Sequence, residues 1–306
     1  MYTDIGTILR DAAANRYGVV ACLPVNMEVC RGAIAAANEK KAPLIFISGQ
    51  NSSLQHANGE LLVPMIRAMA EKTQSPVAMM LDHGSKYERL TYAFRHGYSS
   101  IMFDGSALPM EENIRRTQEV VKLCHMHGMG VEGELGHVGQ AANHDDSNES
   151  LYTRPEDAAR FAELTKVDCL AVAVGTAHGE YEKGYIPHIN FERIREIKEA
   201  TGGMPLALHG GSGSGDENII RAVEAGMNKI NVATDVGNCC RNYLRETLAQ
   251  DPKINYVKLM MGMEQAVKQF IMHWIDLTRS AGTADHFRIP DTLGTVLERS
   301  IVDDGE

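Results

Sequence analysis

With 306 residues and 44% hydrophobic content, the chain can bury a substantial core without disulfide staples. Its 30 basic and 40 acidic side chains give a formal charge of −10, and no Lys/Arg-rich block is present. That balance disfavours nucleic acid or an anionic membrane as a partner, while leaving phosphate binding open locally.

Cys22, Cys30, Cys124, Cys169, Cys239 and Cys240 are scattered and form no zinc-type Cys-x-x-Cys pair, so they read as reduced packing residues. The start Met-Tyr-Thr-Asp-Ile-Gly has no signal-like pattern, and no apolar run approaches the roughly 20 residues that span a bilayer. A soluble cytoplasmic protein is expected.

In chain order, apolar runs predict strands over Val19–Leu23, Pro43–Ile47, Val77–Leu81, Ser99–Phe103, Gly130–Leu135, Cys169–Val174, Pro205–Leu208 and Lys229–Val232. Helical periodicity falls between them at Ile34–Lys40, Leu61–Glu71, Glu112–His125, Pro155–Thr165, Phe191–Ala200 and Glu217–Ala225. Continuous apolar strands alternating with helices imply a parallel sheet covered outside, and the number of units fits an α/β fold of (β/α)8 TIM-barrel type. An open doubly wound sheet is the alternative.

Beyond the eighth strand, Val236–Gln250 and Ile254–Arg279 read as additional C-terminal helices; the second is apolar enough to pack on a barrel or another subunit. No Pro-, Gly- or Ser-rich linker divides the chain. We therefore expect a single TIM-barrel domain over 1–306: barrel about 15–235, helical extension about 236–280 and polar tail 281–306.

Reactive residue types cluster where strands end: Asn26, Ser48, Asp82, His83, Asp104, Glu134, His178, His209 and Asn231. In a barrel these positions share one rim, where such enzymes keep their chemistry. Three histidines in matched positions, His83, His178 and His209, suit a divalent metal with one coordination position left open. Zinc is preferred; cobalt, iron and manganese also suit the donors. Asp82 either orients an imidazole or projects over the substrate as a general acid/base, the reading favoured here.

The loop His209-Gly-Gly-Ser-Gly-Ser-Gly and the run Asn231-Val232-Ala233-Thr234 follow strands seven and eight, where barrels often bind phosphate. Gly179, just after His178, offers another backbone contact. A phosphorylated, oxygen-rich substrate is expected. Lys229, at the start of strand eight, is expected on the opposite rim, which argues against a Schiff-base lysine.

Leu81-Asp82-His83-Gly84, Phe103-Asp104-Gly105-Ser106, Val131-Glu132-Gly133-Glu134-Leu135-Gly136, Gly175-Thr176-Ala177-His178-Gly179, Leu208-His209-Gly210-Gly211-Ser212-Gly213 and Asn231-Val232-Ala233-Thr234 occur in that order. Together they resemble the class II, zinc-dependent ketose-bisphosphate aldolases of the fructose/tagatose-bisphosphate branch. The resemblance implies reversible cleavage of a ketose 1-phosphate or ketose bisphosphate to dihydroxyacetone phosphate and an aldehyde, through a zinc-stabilised enediolate. It implies Asp82 as proton donor and His83, His178 and His209 as ligands of Zn2+. Asp104 and Glu134 would serve a second divalent cation, with room for a monovalent one; capping or salt-bridging is their alternative role. Gly179, Gly210, Gly211, Ser212, Asn231, Val232, Ala233 and Thr234 would hold the phosphorylated fragment, with Asn26 and Ser48 nearby. A homodimer or homotetramer is also implied.

Two departures bear on substrate choice. The segment Gly139–Asp146 lacks the family's usual loop carboxylate, for which Asp145, Asp146 or His144 are the candidates. Leu23-Pro24-Val25-Asn26 and the loop Gly179–Asn190, with Lys183, also depart, and rim loops set substrate choice in barrels. A competing possibility is a non-catalytic aldolase-like subunit supporting a partner enzyme; intact Asp82 and all three histidines disfavour it.

Overall fold

The computed structural model describes residues 1–49, 55–136, 138, 139, 141, 145–147, 149–179, 181, 182 and 184–287. Eight parallel strands close into a barrel: β1 (Val19–Cys22), β2 (Leu44–Ser48), β3 (Val77–Gly84), β4 (Ser100–Phe103), β5 (Gly130–Leu135), β6 (Cys169–Val172), β7 (Leu206–Leu208) and β8 (Met227–Val232). Each pairs with the next, and β8 closes on β1 in the register Val19 with Lys229 and Cys22 with Val232. The fold is thus the predicted (β/α)8 barrel with additional C-terminal helices, and not the open sheet.

Around it run α1 (Ile5–Asn15), α2 (Met27–Lys40), α3 (Gly59–Ala70), α4 (Tyr87–His96), α5 (Met110–Met126), α6 (Pro155–Thr165), α7 (Phe191–Ala200), α8 (Asp216–Ala225), α9 (Thr234–Gln250) and α10 (Tyr256–Leu277). No described helix is long and apolar enough to cross a membrane.

Strand alternation sorts the side chains into two layers. Outward residues such as Val20, Leu44, Phe46, Met79, Leu81, Leu170 and Val232 pack under the helices. Inward residues such as Val19, Ala21, Ile45, Ala78, Met80, Met102, Ala171 and Ala207 fill the barrel and meet Ile5, Ile8, Leu9 and Ala12 of α1. Sequence periodicity does not single out α1. It plugs the floor of the barrel, is capped by Asp4, whose carboxylate accepts Thr7 N–H at 2.9 Å, and is buried along one face. Burying each large side chain there is worth about 1.5–3 kcal/mol.

The C-terminal extension packs on α2, not only on strands. Gly32 lets the helices approach so closely that a Cβ there would sit 2.6 Å from the Glu264 carbonyl oxygen. Arg31 with Glu264 and Lys40 with Asp276 bracket the contact at 2.7 and 2.8 Å. Val267, Ile271 and Trp274 face inward, whereas Tyr256, Val257 and Met261 stay exposed.

Candidate active site

Strand alternation brings Asp82, Glu132, Glu134, Lys229 and Asn231 inside the barrel, but it would send His83 outward. Two features turn His83 back. The β3–β4 register shifts between Leu81 and Gly84, and His83 takes a left-handed φ of 52°, rare for a residue with a side chain. Its backbone N–H donates to Met102 Sδ at 3.3 Å. Consecutive residues Asp82 and His83 therefore face one cavity. The loops after β6 and β7 deliver His178 and His209; His178 is tied by its backbone to Gly139 and Ala141, at 2.8 and 2.9 Å.

The three imidazoles converge with ring centroids 4.8, 4.8 and 5.5 Å apart. One nitrogen from each lies within 4.8 Å of the others. His83 Nε2 and His209 Nδ1 are 3.1 Å apart. At metal–nitrogen lengths near 2.0–2.1 Å, two tetrahedral ligands stand about 3.3 Å from each other, so the pair already has nearly that spacing. Asp82 Oδ1, Glu134 Oε2 and Asn231 Oδ1 are buried with no hydrogen-bond partner among the described residues. Buried acceptors left open in this way, beside three converging imidazoles, fit a divalent cation.

Each outer ring nitrogen is held by a carboxylate. His83 Nδ1–H donates to Asp104 Oδ2 at 2.9 Å, with Glu134 Oε2 at 3.7 Å. His209 Nε2–H donates to Glu132 Oε1 at 2.8 Å, and Glu132 is paired with Lys229 at 2.9 Å, all three groups being fully buried. The electrostatics follow. Burial opposes charge on His83, yet Asp82, Asp104 and Glu134 outweigh it and push its pKa up to about 10. Burial also opposes charge on Asp104, but hydrogen bonds from His83 and Ser106 hold its carboxyl well below the usual range. For Glu134 burial prevails, reinforced by Asp104, and its pKa rises to about 8. Burial, with charge on His83 and Lys229, keeps His209 neutral.

Continuing from His209, the β7 loop and the start of α9 form a polar wall of the cavity. Gly210 has a φ of 67°, and a Cβ there would sit 2.3 Å from the Ala177 carbonyl oxygen, so only glycine fits. Ser212 Oγ accepts Asp235 N–H at 3.2 Å, joining this loop to the first turn of α9. The cavity, of about 590 Å³, is lined by Asp82, His83, Asp104, Glu134, His178, Gly179, Gly210, Ser212, Asn231, Ala233 and Thr234, with Leu23, Ile47 and Val138 as apolar members.

The class-II fructose-bisphosphate aldolase family model matches residues 3–283. This chain belongs to the class-II fructose-bisphosphate aldolase family. Among solved structures, the YdjI aldolase from Escherichia coli K12 is similar at 34% identity and a TM-score of 0.81, over 93% of this chain and 100% of that one. Fructose-bisphosphate aldolase from Campylobacter jejuni shares the fold at 20% identity and a TM-score of 0.75, over 92% of this chain and 96% of the other. The protein is an aldolase, a carbon–carbon lyase of a generally metal-dependent family.

Not every residue expected at the aldolase rim reaches the cavity. Asn26 Oδ1 caps α2 by accepting Val29 N–H at 3.0 Å, and the Ser48 hydroxyl bonds Tyr98 OH at 2.8 Å on the outward face. Neither lines the cavity. Val232 packs under the helices, and Gly211 donates its N–H to the Asn231 carbonyl at 3.1 Å. Asp146 is buried and accepts a hydrogen bond from Tyr185, away from the cavity wall. Asp145 begins a 3-10 turn, while His144 and Lys183 lie outside the described residues. Contrary to expectation, Lys229 is not on the far rim but fully buried inside the barrel against Glu132. Sequence reasoning passes over Glu132, although alternation along Val131-Glu132-Gly133-Glu134 is the signal that places it inside with Glu134.

Proposed function

We propose that this aldolase reversibly cleaves a ketose 1-phosphate or ketose bisphosphate at C3–C4, giving dihydroxyacetone phosphate and an aldehyde. The observation that carries the reading is the convergence of His83, His178 and His209 beside the unpartnered Asp82 Oδ1 in one cavity. His83, His178 and His209 would hold Zn2+, with Asp104 and Glu134 available to a second divalent cation. When bound, the cation supplies Lewis acidity for the negative charge that develops on the ketose oxygens during cleavage.

The chain's own groups do the rest. Asp82, as carboxylate, takes the proton from the C4 hydroxyl as the aldehyde forms and returns it in condensation, while the electron pair left at C3 takes up one proton from solvent to give dihydroxyacetone phosphate. Gly179, Gly210, Ser212, Asn231, Ala233 and Thr234 hold the phosphate, where the glycine turns admit close backbone approach and the N-terminus of α9 favours an anion. Leu23, Ile47 and Val138 limit water on the apolar side of the cavity. Exposed Tyr256, Val257 and Met261 on α10 support a homodimer or homotetramer.

The test is a coupled assay for dihydroxyacetone phosphate over a panel of ketose 1-phosphates and bisphosphates. Release of that product from at least one member is expected; release from none by metal-loaded protein defeats the reading.

A further inference from the structure

Beneath the three histidines lies a chain of buried polar groups that the cleavage reaction does not itself use. Lys229 Nζ stands 3.1 Å from Glu132 Oε1 and 2.9 Å from Oε2, and Glu132 Oε1 accepts the His209 Nε2–H at 2.8 Å. Both charged partners are fully buried inside the barrel, where their register neighbours are Met102 and Cys169 beside Glu132, and Val19 and Ala207 beside Lys229. A buried ion pair is a poor device for stability, since desolvation offsets most of the attraction. Its retention calls for another role.

The geometry supplies one. An imidazole has two nitrogens, and the one that keeps its proton cannot ligate a metal. On His209, the nitrogen facing the other histidines is Nδ1, 3.1 Å from His83 Nε2, and the one facing away is Nε2. A carboxylate at Nε2 accepts but cannot donate, so it fixes the proton there and leaves the Nδ1 lone pair to the cavity. Were Glu132 turned away, that constraint would lapse. Lys229 Nζ, hydrogen-bonded to Oε1 at 3.1 Å and 2.9 Å from Oε2, holds the carboxylate in place.

We propose that Lys229 and Glu132 are positioning residues that lock His209 into the tautomer and orientation that ligate metal through Nδ1. The lysine reaches from β8 across the barrel to β5, so two strands that are not neighbours are tied to a loop after a third. This inference rests on the three-histidine metal reading.

Two measurements test it. The double substitution Glu132→Gln with Lys229→Met leaves no unpaired buried charge, so its metal-free melting temperature is expected close to that of the parent. Its Zn2+ affinity, read by chelator competition, is expected to fall about 10–100-fold, as for loss of other outer partners of metal-bound histidines. A folded double variant with parental affinity overturns the proposal. The second measurement needs no variant: 15N-histidine spectra of the parent protein loaded with 113Cd2+. Coupling of cadmium to His209 Nδ1, with a slowly exchanging proton on Nε2, is expected. Coupling to His209 Nε2 overturns the proposal while sparing the metal site; coupling to none of the three histidines overturns both.

Discussion

The floor and the mouth of this barrel are made by the same eight strands, yet they obey opposite rules. At the floor, Ile5, Ile8, Leu9 and Ala12 of α1 cluster with Val19, Ile45 and Ala78, all of them fully buried and apolar. At the mouth, Asp82, Glu134 and Asn231 are also buried but keep acceptor atoms without partners among the described residues, and His83 holds a left-handed backbone. Such groups are unfavourable for folding and are kept where a ligand completes them. The difference separates stability from chemistry within one set of strands, and substitutions at the two ends should separate them too.

The sharpest contrast comes from Asp82→Asn. Losing a positioned acid/base should lower kcat by about 10²–10⁴-fold. Metal content and melting temperature should hold, because no hydrogen bond to Asp82 Oδ1 is broken. Steady-state kinetics beside elemental analysis checks this, and unchanged turnover removes the proton-transfer role.

His178→Ala should weaken metal binding by more than the roughly 10–100-fold typical of losing an outer partner. Competition with a coloured chelator reads it directly. A parental affinity would mean that two histidines suffice, and the mouth would need a different description.

At the floor, Leu9→Ala should cost about 2–5 kcal/mol of stability through the cavity it leaves. Turnover and metal affinity should stay at parental values when measured below the melting transition. A matching fall in metal affinity would break the separation between the two ends.

The smallest effect is on pH dependence. In the metal-free protein His83 has its pKa raised from 6.5 to about 10, so it stabilises the fold fully below pH 6.5 and loses that contribution as pH rises through 10. Glu134 is raised from 4.5 to about 8 by burial, so the unfolded chain releases its proton first and stability falls across that interval. Both act in one direction: the metal-free melting temperature should fall between pH 6 and 9. Metal uptake must displace the His83 proton, so the stabilisation added by metal should grow over the same range. Scanning calorimetry with and without Zn2+ checks both slopes, and parallel curves would contradict the account.

Much of this was legible in the chain itself. Continuous apolar runs mark all eight strands because both faces of a barrel strand are buried, and the catalytic-type residues end those runs. What sequence conceals is direction. Asn26 and Ser48 sit at strand ends like Asp82, but one caps a helix and the other lies on the outward face of β2. His83 should face outward by alternation and is turned inward by a bulge that no pattern announces. Lys229 and Glu132 lie on strands three apart around the barrel, so only closure reveals that they meet. The floor helix α1 escapes notice because its apolar face is short and it precedes the first strand.

Stripping the protein with a chelator and titrating Zn2+ back, while following dihydroxyacetone phosphate release from a ketose phosphate it cleaves, asks whether the three-histidine centre powers retro-aldol cleavage. No release is expected from the stripped protein, and recovery should rise in proportion to metal bound at His83, His178 and His209. Full activity in the stripped protein, or recovery that persists after all three histidines are replaced, would contradict that role.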